Sequence, residues 1–439
     1  MRSLEKNPAV RGWFEGRRVL VVGLGKSGVA AARLLSRLGA HVSVTEKRPK
    51  SDNQEWLTQL PPKIEVEWGT HHWVSHPWDL LIVSPGVPNA ILATARSRGV
   101  PIWGELELGY RVLVLANRWP ARSAAITGTN GKTTTTALLG EMCRASGRPT
   151  VVAGNIGVPL CAVVDHVTRA SALVLEVSSY QLETALAFRP TVGAVLNVTP
   201  DHLARHGTIK NYAAAKFRLF QSQGSRDVAV LNRRDVWCRQ MAPLVPGKTE
   251  WFDDRVSDPW PSPSFLPGRH NRANALAAAL CARAMGVSRS AIVRALATFR
   301  GVEHRLELVR TWRGVRFVND SKATNVDSTR VALEAFSDSL IVILGGQDKG
   351  APYAPLVPLL QKKAKTVLLI GEAAEKIEQE LKGRVPLGRC ETLSRAVDHA
   401  ARTARPGDVV LLSPACASFD QFKNFEHRGE CFKEWVGAL

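Results

Sequence analysis

Short apolar runs recur along this chain, each followed by a stretch of helical pattern. They fall into three groups. The first lies at 19–22, 42–45 and 80–83, and the second at 124–127, 150–153, 172–176, 192–197 and 228–231. The third lies at 315–319, 340–344, 366–370 and 408–413. Continuous apolar strands that alternate with helices are typical of parallel sheets covered on both faces. The pattern therefore predicts an α/β protein built from βαβ units with right-handed crossovers.

The length of the chain divides these groups into separate domains. At 439 residues it exceeds the roughly 250–300 residues that one hydrophobic core usually serves. We expect two or three domains from this length, and the three groups of strands divide the chain into segments at 1–108, 109–301 and 302–439. A proline-rich stretch at 258–263 is predicted to be a surface loop.

Composition excludes several classes of protein. No run of about 18 uncharged apolar residues occurs and the N-terminus lacks an apolar segment, so we expect neither a transmembrane helix nor a secretory signal. Seven widely spaced cysteines without a C-x-x-C pair indicate free thiols in a reducing cytoplasm. The net charge of +19 is compatible with a nucleic-acid or membrane-surface partner. No block of five like charges occurs, however, which favours a solvated basic surface with pockets for small anions.

A glycine-containing segment between a strand and a helix is the most specific local signal. The strand at 124–127 leads into Gly128-Thr129-Asn130-Gly131-Lys132-Thr133-Thr134, and a helical pattern follows. Backbone N–H groups in such a turn face an anion. Lys132 would reach the terminal phosphates of a nucleotide, and the Thr133 hydroxyl is placed to bind Mg²⁺. The loop is shorter than a standard P-loop, but the same physics predicts ATP binding.

The first group carries a second glycine motif. Gly23-Leu24-Gly25-Lys26-Ser27-Gly28 follows the first strand, and Glu46 ends the next strand about 20 residues further on. This is the spacing of a dinucleotide-binding βαβ unit. NAD is one interpretation. The phosphate loop further along favours a different nucleotide diphosphate, because hydride transfer needs no ATP.

Polar residues at strand ends mark the expected rim of the central sheet. Glu176 closes an apolar strand at the edge where parallel sheets bind ligands, and a carboxylate there can hold Mg²⁺. His202 follows the next strand end beside Asp201 and is predicted to assist the metal or a transferred phosphoryl group. Lys216 lies in an apolar helical stretch, and from composition alone it is a snorkelling lysine.

These residues resemble the Mur ligase family, and the resemblance covers nearly the whole chain. Besides the phosphate loop and Asn274, it rests on Gly154-Asn155-Ile156-Gly157, Glu176-Val177-Ser178-Ser179-Tyr180-Gln181-Leu182-Glu183, Asn197-Val198-Thr199-Pro200-Asp201-His202, Leu266-Pro267-Gly268-Arg269-His270-Asn271, His304-Arg305, Asn319-Asp320-Ser321-Lys322-Ala323-Thr324-Asn325 and Leu412-Ser413-Pro414-Ala415-Cys416-Ala417-Ser418-Phe419-Asp420-Gln421-Phe422. The last two segments are similar to those of the members that add D-glutamate. The D-[DN]-P-R motif of members that add a diamino acid is not found in the sequence.

The resemblance implies a three-domain α/β ligase of peptidoglycan precursor synthesis. Its domains would be a Rossmann-like UDP-binding domain at 1–108, a central P-loop ATPase-type domain with a mostly parallel sheet at 109–301, and a C-terminal Rossmann-like domain at 302–439 that receives the amino acid. It implies that ATP phosphorylates the carboxylate of UDP-N-acetylmuramoyl-L-alanine to an acyl phosphate, which the amine of D-glutamate then attacks. Two Mg²⁺ ions are implied, together with CO₂ bound to Lys216 as a carbamate, which turns a cation into an anionic oxygen ligand. The expected partners are these small molecules, with no nucleic acid and no membrane, and the expected state is a cytoplasmic monomer.

The resemblance also implies site residues, position by position. The catalytic set is Lys132, His202 and Lys216, and the metal ligands are Thr133, Glu176, His202 and carbamylated Lys216. ATP is expected against residues 128–134 and against Asn271, Asn274, Arg305 and Asp320. The UDP substrate is expected against Gly25, Lys26, Ser27, Thr45, Glu46, Gly86, Asn155, Gln181 and His202. D-glutamate is expected against Lys322, Thr324, Lys349, Ser418 and Phe425.

Other functions stay open at this point. Folylpolyglutamate synthetase shares the central domain but lacks a UDP-binding first domain. A basic P-loop ATPase acting on nucleic acid would need a contiguous basic face and an activity stimulated by DNA or RNA. A pure binding module would leave the phosphate loop and the strand-end acids unexplained.

Overall fold

Two compact units make up the part of the chain that the structure describes. The computed structural model describes residues 4–155, 157–255, 260–264, 268–337 and 339–439. The first unit comprises Met1–Ser262 with Ala273–Ala297, and the second comprises Pro263–Arg272 with Thr298–Leu439. Two sheets lie in the first unit and one in the second, which confirms the predicted three-domain α/β architecture. The exact domain limits near residues 108 and 301 stay predictions.

The N-terminal sheet has five parallel strands, β1 (Arg18–Val22), β2 (His41–Glu46), β3 (Glu65–Trp68), β4 (Leu80–Val83) and β5 (Ile102–Gly104). Its helices are α1 (Pro8–Phe14), α2 (Lys26–Arg37), α3 (Gln54–Leu57), α4 (Ala93–Ser97) and α5 (Glu105–Leu115). The strand order is β3-β2-β1-β4-β5. Strands β2 and β3 thus lie on one side of β1, and β4 and β5 lie on its other side, so the strand order reverses at β1. Ligands of such sheets bind at this reversal, and the glycine motif that joins β1 to α2 lies there.

The central sheet has six parallel strands, β6 (Arg122–Thr127), β7 (Thr150–Gly154), β8 (Ala172–Glu176), β9 (Val192–Val195), β10 (Val228–Asn232) and β11 (Lys248–Phe252). The helices of this part of the chain are α6 (Lys132–Ala145), α7 (Leu160–Val163), α8 (Ser179–Leu182), α9 (Leu203–His206), α10 (Ile209–Phe217), α11 (Val236–Met241), α12 (Arg269–Ala284) and α13 (Arg289–Thr298). The order is β11-β10-β9-β6-β8-β7. Because β8 and β9 flank β6, the carboxyl ends of these three strands are neighbours.

The third sheet also has six strands, β12 (Glu307–Trp312), β13 (Val315–Asn319), β14 (Leu340–Gly345), β15 (Ala364–Ile370), β16 (Leu387–Glu391) and β17 (Val409–Leu412). Its helices are α14 (Val326–Glu334), α15 (Val357–Lys363), α16 (Ala374–Leu381), α17 (Leu393–Thr403) and α18 (Phe425–Gly437). The order is β12-β13-β17-β14-β15-β16, and only the β12–β13 pairing is antiparallel.

Side-chain caps fix where the helices next to the strand ends begin. Ser178 starts α8 with a capping box, and Thr208 caps α10 by accepting the N–H of Asn211. Asn325 and Asn424 cap α14 and α18 in the same way. Such a cap satisfies a backbone donor that the helix itself leaves without a partner. The residue at which the chain leaves each of these turns and begins a helix is therefore fixed.

Other sequence predictions have mixed outcomes. All seven cysteines are free thiols, as predicted, and six are buried. Residues 258 and 259 of the predicted proline-rich loop lie outside the described residues, as do Ile156, Leu266 and Pro267 of the family segments. Among the described helices, none has the length and apolar character that crossing a bilayer requires.

Glu105, the first residue of α5, is a buried carboxyl group between two domains of the first unit. Its Oε1 accepts the N–H of Cys161 at 2.6 Å, and its Oε2 has no hydrogen-bond partner among the described residues. Burial raises the pKa of Glu105 to about 7, against the smaller opposing effect of the Cys161 N–H and thiol. The folded protein therefore favours the protonated form.

Replacing this residue, Glu105→Gln, should stabilise the protein in a pH-dependent way. The folded state binds the proton more tightly than the unfolded state, so the wild type loses stability as the pH rises from 4.5 to about 7. We expect the advantage of the variant in free energy of unfolding to grow by about 3 kcal/mol over this range and then to level off. Denaturant unfolding at several pH values measures it. A difference that does not change with pH would contradict the assignment.

Candidate active site at the phosphate loop

The phosphate loop joins β6 to α6 and turns on two glycines. Gly128 and Gly131 have φ angles of 155° and 85°, a region that other residues rarely adopt. A Cβ on Gly131 would lie 2.2 Å from Oδ1 of Asn274, so that only glycine fits there. The loop and Asn274, a predicted ATP contact, are thus in contact. Thr133 and Thr134 lie in the first turn of α6 and are buried.

Two lysine side chains meet at one backbone oxygen of this loop. Lys132 Nζ donates to the carbonyl oxygens of Gly128 and Thr129 at 2.9 and 2.7 Å. Lys216 Nζ, from α10, donates to the same Gly128 oxygen at 2.8 Å. The structure therefore brings together two of the three predicted catalytic residues.

The environment of Lys216 corrects the expectation from composition. Its side chain does not snorkel to the surface, because the residue is only 1% exposed and its Nζ lies 4.3 Å from the ring centre of Tyr212. Burial, and then the charge of Lys132, lower the pKa of Lys216 well below its ordinary value, while Asp201 opposes them. The surroundings therefore favour the uncharged amine.

Glu176 ends β8 next to the loop, and one of its carboxylate oxygens is satisfied. Asn155 donates from Nδ2 to Oε1 at 2.8 Å, and its backbone N–H donates to the Glu176 carbonyl. Oε2 is buried and has no hydrogen-bond partner in the part of the chain that the structure describes. A buried carboxylate oxygen without a donor fits a hard cation such as Mg²⁺, which prefers oxygen ligands. Thr133 is the nearby hydroxyl predicted for the same ion.

His202 follows β9 in a strained backbone conformation. Its φ is 54°, which is uncommon for a residue with a side chain and is often found at functional sites. Its Nδ1 lies 3.2 Å from the hydroxyl of Tyr180, and its Nε2 lies 3.6 Å from Oδ2 of Asp201. The side chain is 45% exposed. The imidazole is thus held at the rim of the sheet and is open to a ligand.

Four of the residues expected at the UDP substrate lie in two segments that follow strands of the N-terminal sheet. Residues 25–27 form the start of α2, with Gly25 as its N-cap and Lys26 exposed. Gly86 is exposed in the loop after β4 and has a φ of 105°. The same loop is tied to the His202 segment, because Arg205 donates to the Val87 carbonyl at 2.7 Å. The structure therefore joins the two predicted substrate regions.

Three of the predicted UDP contacts have partners inside the protein. Thr45 is fully buried and its hydroxyl is hydrogen-bonded within the N-terminal domain. Glu46 accepts the N–H of Leu24 at 2.6 Å, which fixes the glycine turn. Gln181 Oε1 accepts the N–H of Ser178 in the capping box of α8. These side chains shape the turns around the site, and their contacts with substrate stay predictions.

In the second unit, Asp320 is fully buried where β13 ends. Its carboxylate accepts hydrogen bonds from the Ser413 hydroxyl at 2.9 Å and from the Leu306 N–H at 3.2 Å, and Arg305 Nε lies 4.0 Å away. Burial raises the pKa of Asp320 to about 6, against the effects of Arg305 and Ser413. Asn271, also in this unit, is buried near the start of α12.

The residues expected around D-glutamate follow three adjacent strands, β13, β17 and β14. Lys322 Nζ lies 4.8 Å from the ring centre of Phe425, and Lys349 Nζ lies 3.5 Å from the hydroxyl of Thr324. Ser418 is buried in the segment after β17, whose Ala417 pairs with the turn after β14. The structure thus places these residues in turns at one edge of the sheet.

Three residues with central positions were not assigned from sequence. Tyr212 lies under Lys216, and Asn197 bonds to the phosphate loop. Arg428 is fully buried in α18, where its guanidinium donates to Ser321 and to the carbonyls of Cys416 and Ala417. Asn197 lies within a quoted family segment. Nothing in the local pattern of α18 indicates that its arginine is buried.

The fold and this site define a nucleotide-phosphate-binding α/β enzyme. Three family models match the chain: a Mur ligase MurD-like N-terminal domain at residues 17–104, a Mur ligase middle domain at 126–250, and a Mur ligase glutamate ligase domain at 304–416. The chain belongs to the Mur ligase family and is an ATP-dependent ligase that uses Mg²⁺.

Similar proteins extend over nearly the full length. The UDP-N-acetylmuramoylalanine--D-glutamate ligases of Solibacter usitatus and Koribacter versatilis are 47% and 45% identical; both matches cover 97% of this chain, and they cover 99% and 98% of those proteins. The solved structure of the MurF ligase from Thermotoga maritima in complex with ADP is 17% identical, with a TM-score of 0.63 and full coverage of both chains. At that identity it shows the fold alone.

Removal of the Lys132 amine, Lys132→Ala, should abolish ATP turnover and leave the fold intact. The amine lies on the phosphate loop, and without it the charge on the transferred phosphoryl group would lose a compensating cation. Phosphate release measures turnover, and circular dichroism checks the fold. Lys248→Ala, which removes an exposed lysine paired with Glu250, serves as the control. Normal turnover in the Lys132 variant would refute the loop assignment.

Proposed function

We propose that the protein joins D-glutamate to UDP-N-acetylmuramoyl-L-alanine, with conversion of ATP to ADP and phosphate, as a cytoplasmic step in peptidoglycan precursor synthesis. The observation that carries the proposal is the full-length similarity, at 45% and 47% identity, to two ligases named for this reaction. The match to a MurD-like N-terminal domain argues against a folylpolyglutamate synthetase, because that enzyme lacks a UDP-binding domain. We further infer that the enzyme acts as a monomer with domains at 1–108, 109–301 and 302–439.

The first step is phosphorylation of a carboxylate, which is otherwise a poor electrophile. The γ-phosphoryl group of ATP passes to the L-alanine carboxylate and gives an acyl phosphate. Phosphoryl transfer depends mainly on positioning and charge neutralisation. Lys132 and the N–H groups at the start of α6 are placed to neutralise the phosphates. The amine of D-glutamate then attacks the acyl carbon, the tetrahedral intermediate collapses, and phosphate leaves as the amide forms.

Two Mg²⁺ ions would neutralise the phosphate oxygens when bound. Thr133 and Glu176 would hold one ion, because the buried Oε2 of Glu176 lacks a donor among the described residues. His202 and a carbamate on Lys216 would hold the other. An unmodified ammonium there would repel a cation. The buried, uncharged amine of Lys216 supports the carbamate, because only the free base can bond to the carbon of CO₂ and release a proton.

Cations favour an amino acid with two carboxylates at the third sheet. Lys322 and Lys349 follow β13 and β14, and the buried guanidinium of Arg428 donates to neutral oxygens. The ammonium groups of Lys322 and Lys349 would attract the carboxylates of such a ligand. We infer that Lys322, Thr324, Lys349, Ser418 and Phe425 surround D-glutamate, and that Asn271, Asn274, Arg305 and Asp320 contact ATP.

Phosphate release with an amino-acid panel tests the reaction directly. With Mg²⁺, ATP and UDP-N-acetylmuramoyl-L-alanine, we expect release with D-glutamate and little with L-glutamate, D-aspartate or meso-diaminopimelate. Mass spectrometry should show one new amide for each phosphate released. A different preferred amino acid, or phosphate release that depends on DNA or RNA, would overturn the proposal.

The carbamate predicts chemical rescue of Lys216→Ala. We expect this variant to be inactive because the metal site loses an anionic oxygen. Acetate or formate should restore part of the activity by filling the vacated position, as a function of its concentration. Lys132→Ala treated with the same acids should stay inactive and is the matched control. Full activity of Lys216→Ala without any added acid would exclude the carbamate.

A further inference from the structure

A set of hydrogen bonds fastens the phosphate loop to the chain that follows β9. The N–H of Thr129 donates to the carbonyl of Asn197 at 2.9 Å. The side-chain amide of Asn197 pairs with both backbone groups of Asn130: Oδ1 accepts from N at 2.8 Å, and Nδ2 donates to O at 3.1 Å. The hydroxyl of Thr129 lies 3.2 Å from the Thr199 carbonyl and accepts the Thr199 N–H at 3.0 Å.

The amide of Asn197 acts here as a copy of a backbone peptide group. It presents a carbonyl to an N–H and an N–H₂ to a carbonyl, as a neighbouring strand would. An aspartate could accept from the Asn130 N–H but would set its second oxygen against the Asn130 carbonyl. No other side chain of this length offers the same pair of groups. The pairing therefore depends on asparagine.

The two fastened segments carry different parts of the site. The loop continues into Lys132, which we place at the phosphates of ATP. The 197–199 segment continues within three residues to His202, which we place at the second Mg²⁺ and at the UDP-linked substrate. Both segments follow adjacent parallel strands, β6 and β9. A displacement of either segment would displace the other, because several short hydrogen bonds join them.

We propose that Asn197 and Thr129 are positioning residues that couple the ATP site to the acceptor site, an inference that rests on the proposed function. The backbone N–H groups of Thr129 and Asn130 are used inside the protein, so they hold the loop in shape and do not contact phosphate. Nucleotide binding restricts the position of the loop. The hydrogen bonds then restrict the 197–199 segment, and His202 faces the acceptor carboxylate. ATP should accordingly strengthen binding of the acceptor.

Variants with matched controls isolate this contact. Asn197→Ala removes both side-chain bonds, and Asn197→Asp keeps one acceptor. Asn232→Ala is the control, because Asn232 ends the next strand, β10, and donates to the Leu196 carbonyl at 2.8 Å without touching the loop. Thr129→Val removes a hydroxyl isosterically, and Thr129→Ser restores it. Thr136→Val is the control for that pair, because its buried hydroxyl has no hydrogen-bond partner among the described residues.

Steady-state kinetics give the first result. We expect kcat/KM for ATP to fall by about 100-fold in Asn197→Asp and Thr129→Val, because displacement of the loop misplaces the phosphates. Asn232→Ala and Thr136→Val should stay close to the wild type, and Thr129→Ser should recover most of the activity that Thr129→Val loses. A loss in Asn232→Ala equal to that in Asn197→Ala would indicate a general effect on the sheet and would overturn the proposal.

A binding measurement separates coupling from a merely structural role. Calorimetry measures the Kd of UDP-N-acetylmuramoyl-L-alanine with and without a non-hydrolysable ATP analogue and Mg²⁺. We expect the analogue to lower this Kd in the wild type and in Asn232→Ala. In Asn197→Ala the Kd without analogue should be unchanged and the effect of the analogue should disappear. Retention of the effect, or its absence from the wild type, would overturn the coupling.

The activity of the wild type tests the proposed function, and the variants test only the coupling. If the wild type forms no amide with D-glutamate, the proposed function fails whatever the variants do. If the wild type is active and Asn197→Ala matches it in both kcat/KM and the analogue effect, only the coupling fails.

Discussion

The carbonyl oxygen of Gly128 receives hydrogen bonds from two lysine side chains, and the rest of the site depends on this contact. Lys132 and Lys216 approach it at 2.9 and 2.8 Å, so their amines are too close for both to carry a charge at low cost. Burial makes Lys216 the one whose charged form is disfavoured, because it is 1% exposed and its pKa is lowered by burial and by Lys132. The contact thus sets a more weakly basic amine beside the ammonium of Lys132. An anion bound near these two amines would offset the positive charge.

Much of the fold could be predicted because parallel strands buried on both faces are apolar throughout. Every residue of β4, β14 and β17 is buried, and each was found as an apolar run. Several edge strands lack this signal. Strand β16 reads Leu-Gly-Arg-Cys-Glu and β3 reads Glu-Val-Glu-Trp, both with exposed positions. The antiparallel edge strand β12 has exposed and half-buried residues and no buried one.

In the candidate site, too, local sequence patterns located some residues, and the tertiary structure was needed for the others. The phosphate loop and Glu176 could be located from sequence because a glycine turn or an acid directly after an apolar strand is a local pattern. The burial of Lys216 is a tertiary property, and composition gave the wrong environment for it. Asn197 pairs with a residue 67 positions away, so its role depends on which strand lies beside β6. For Thr45, Glu46 and Gln181, the structure adds internal hydrogen bonds that a motif does not reveal.

Around the loop, amides and hydroxyls make many of the structural contacts, and the amines of Lys132 and Lys216 add bonds to its carbonyl oxygens. The loop is fastened by amides and hydroxyls, from Asn197, Thr129 and Thr199. Asn155 satisfies one oxygen of Glu176 and leaves the other buried without a donor among the described residues. An ion pair at either position would compete with phosphate or Mg²⁺ for the same charge, and its strength would change when the ligand arrived. A neutral hydrogen bond changes less in strength than an ion pair when a charged ligand binds. The loop could therefore keep its bonds to the 197–199 segment while phosphate draws on the amines of Lys132 and Lys216.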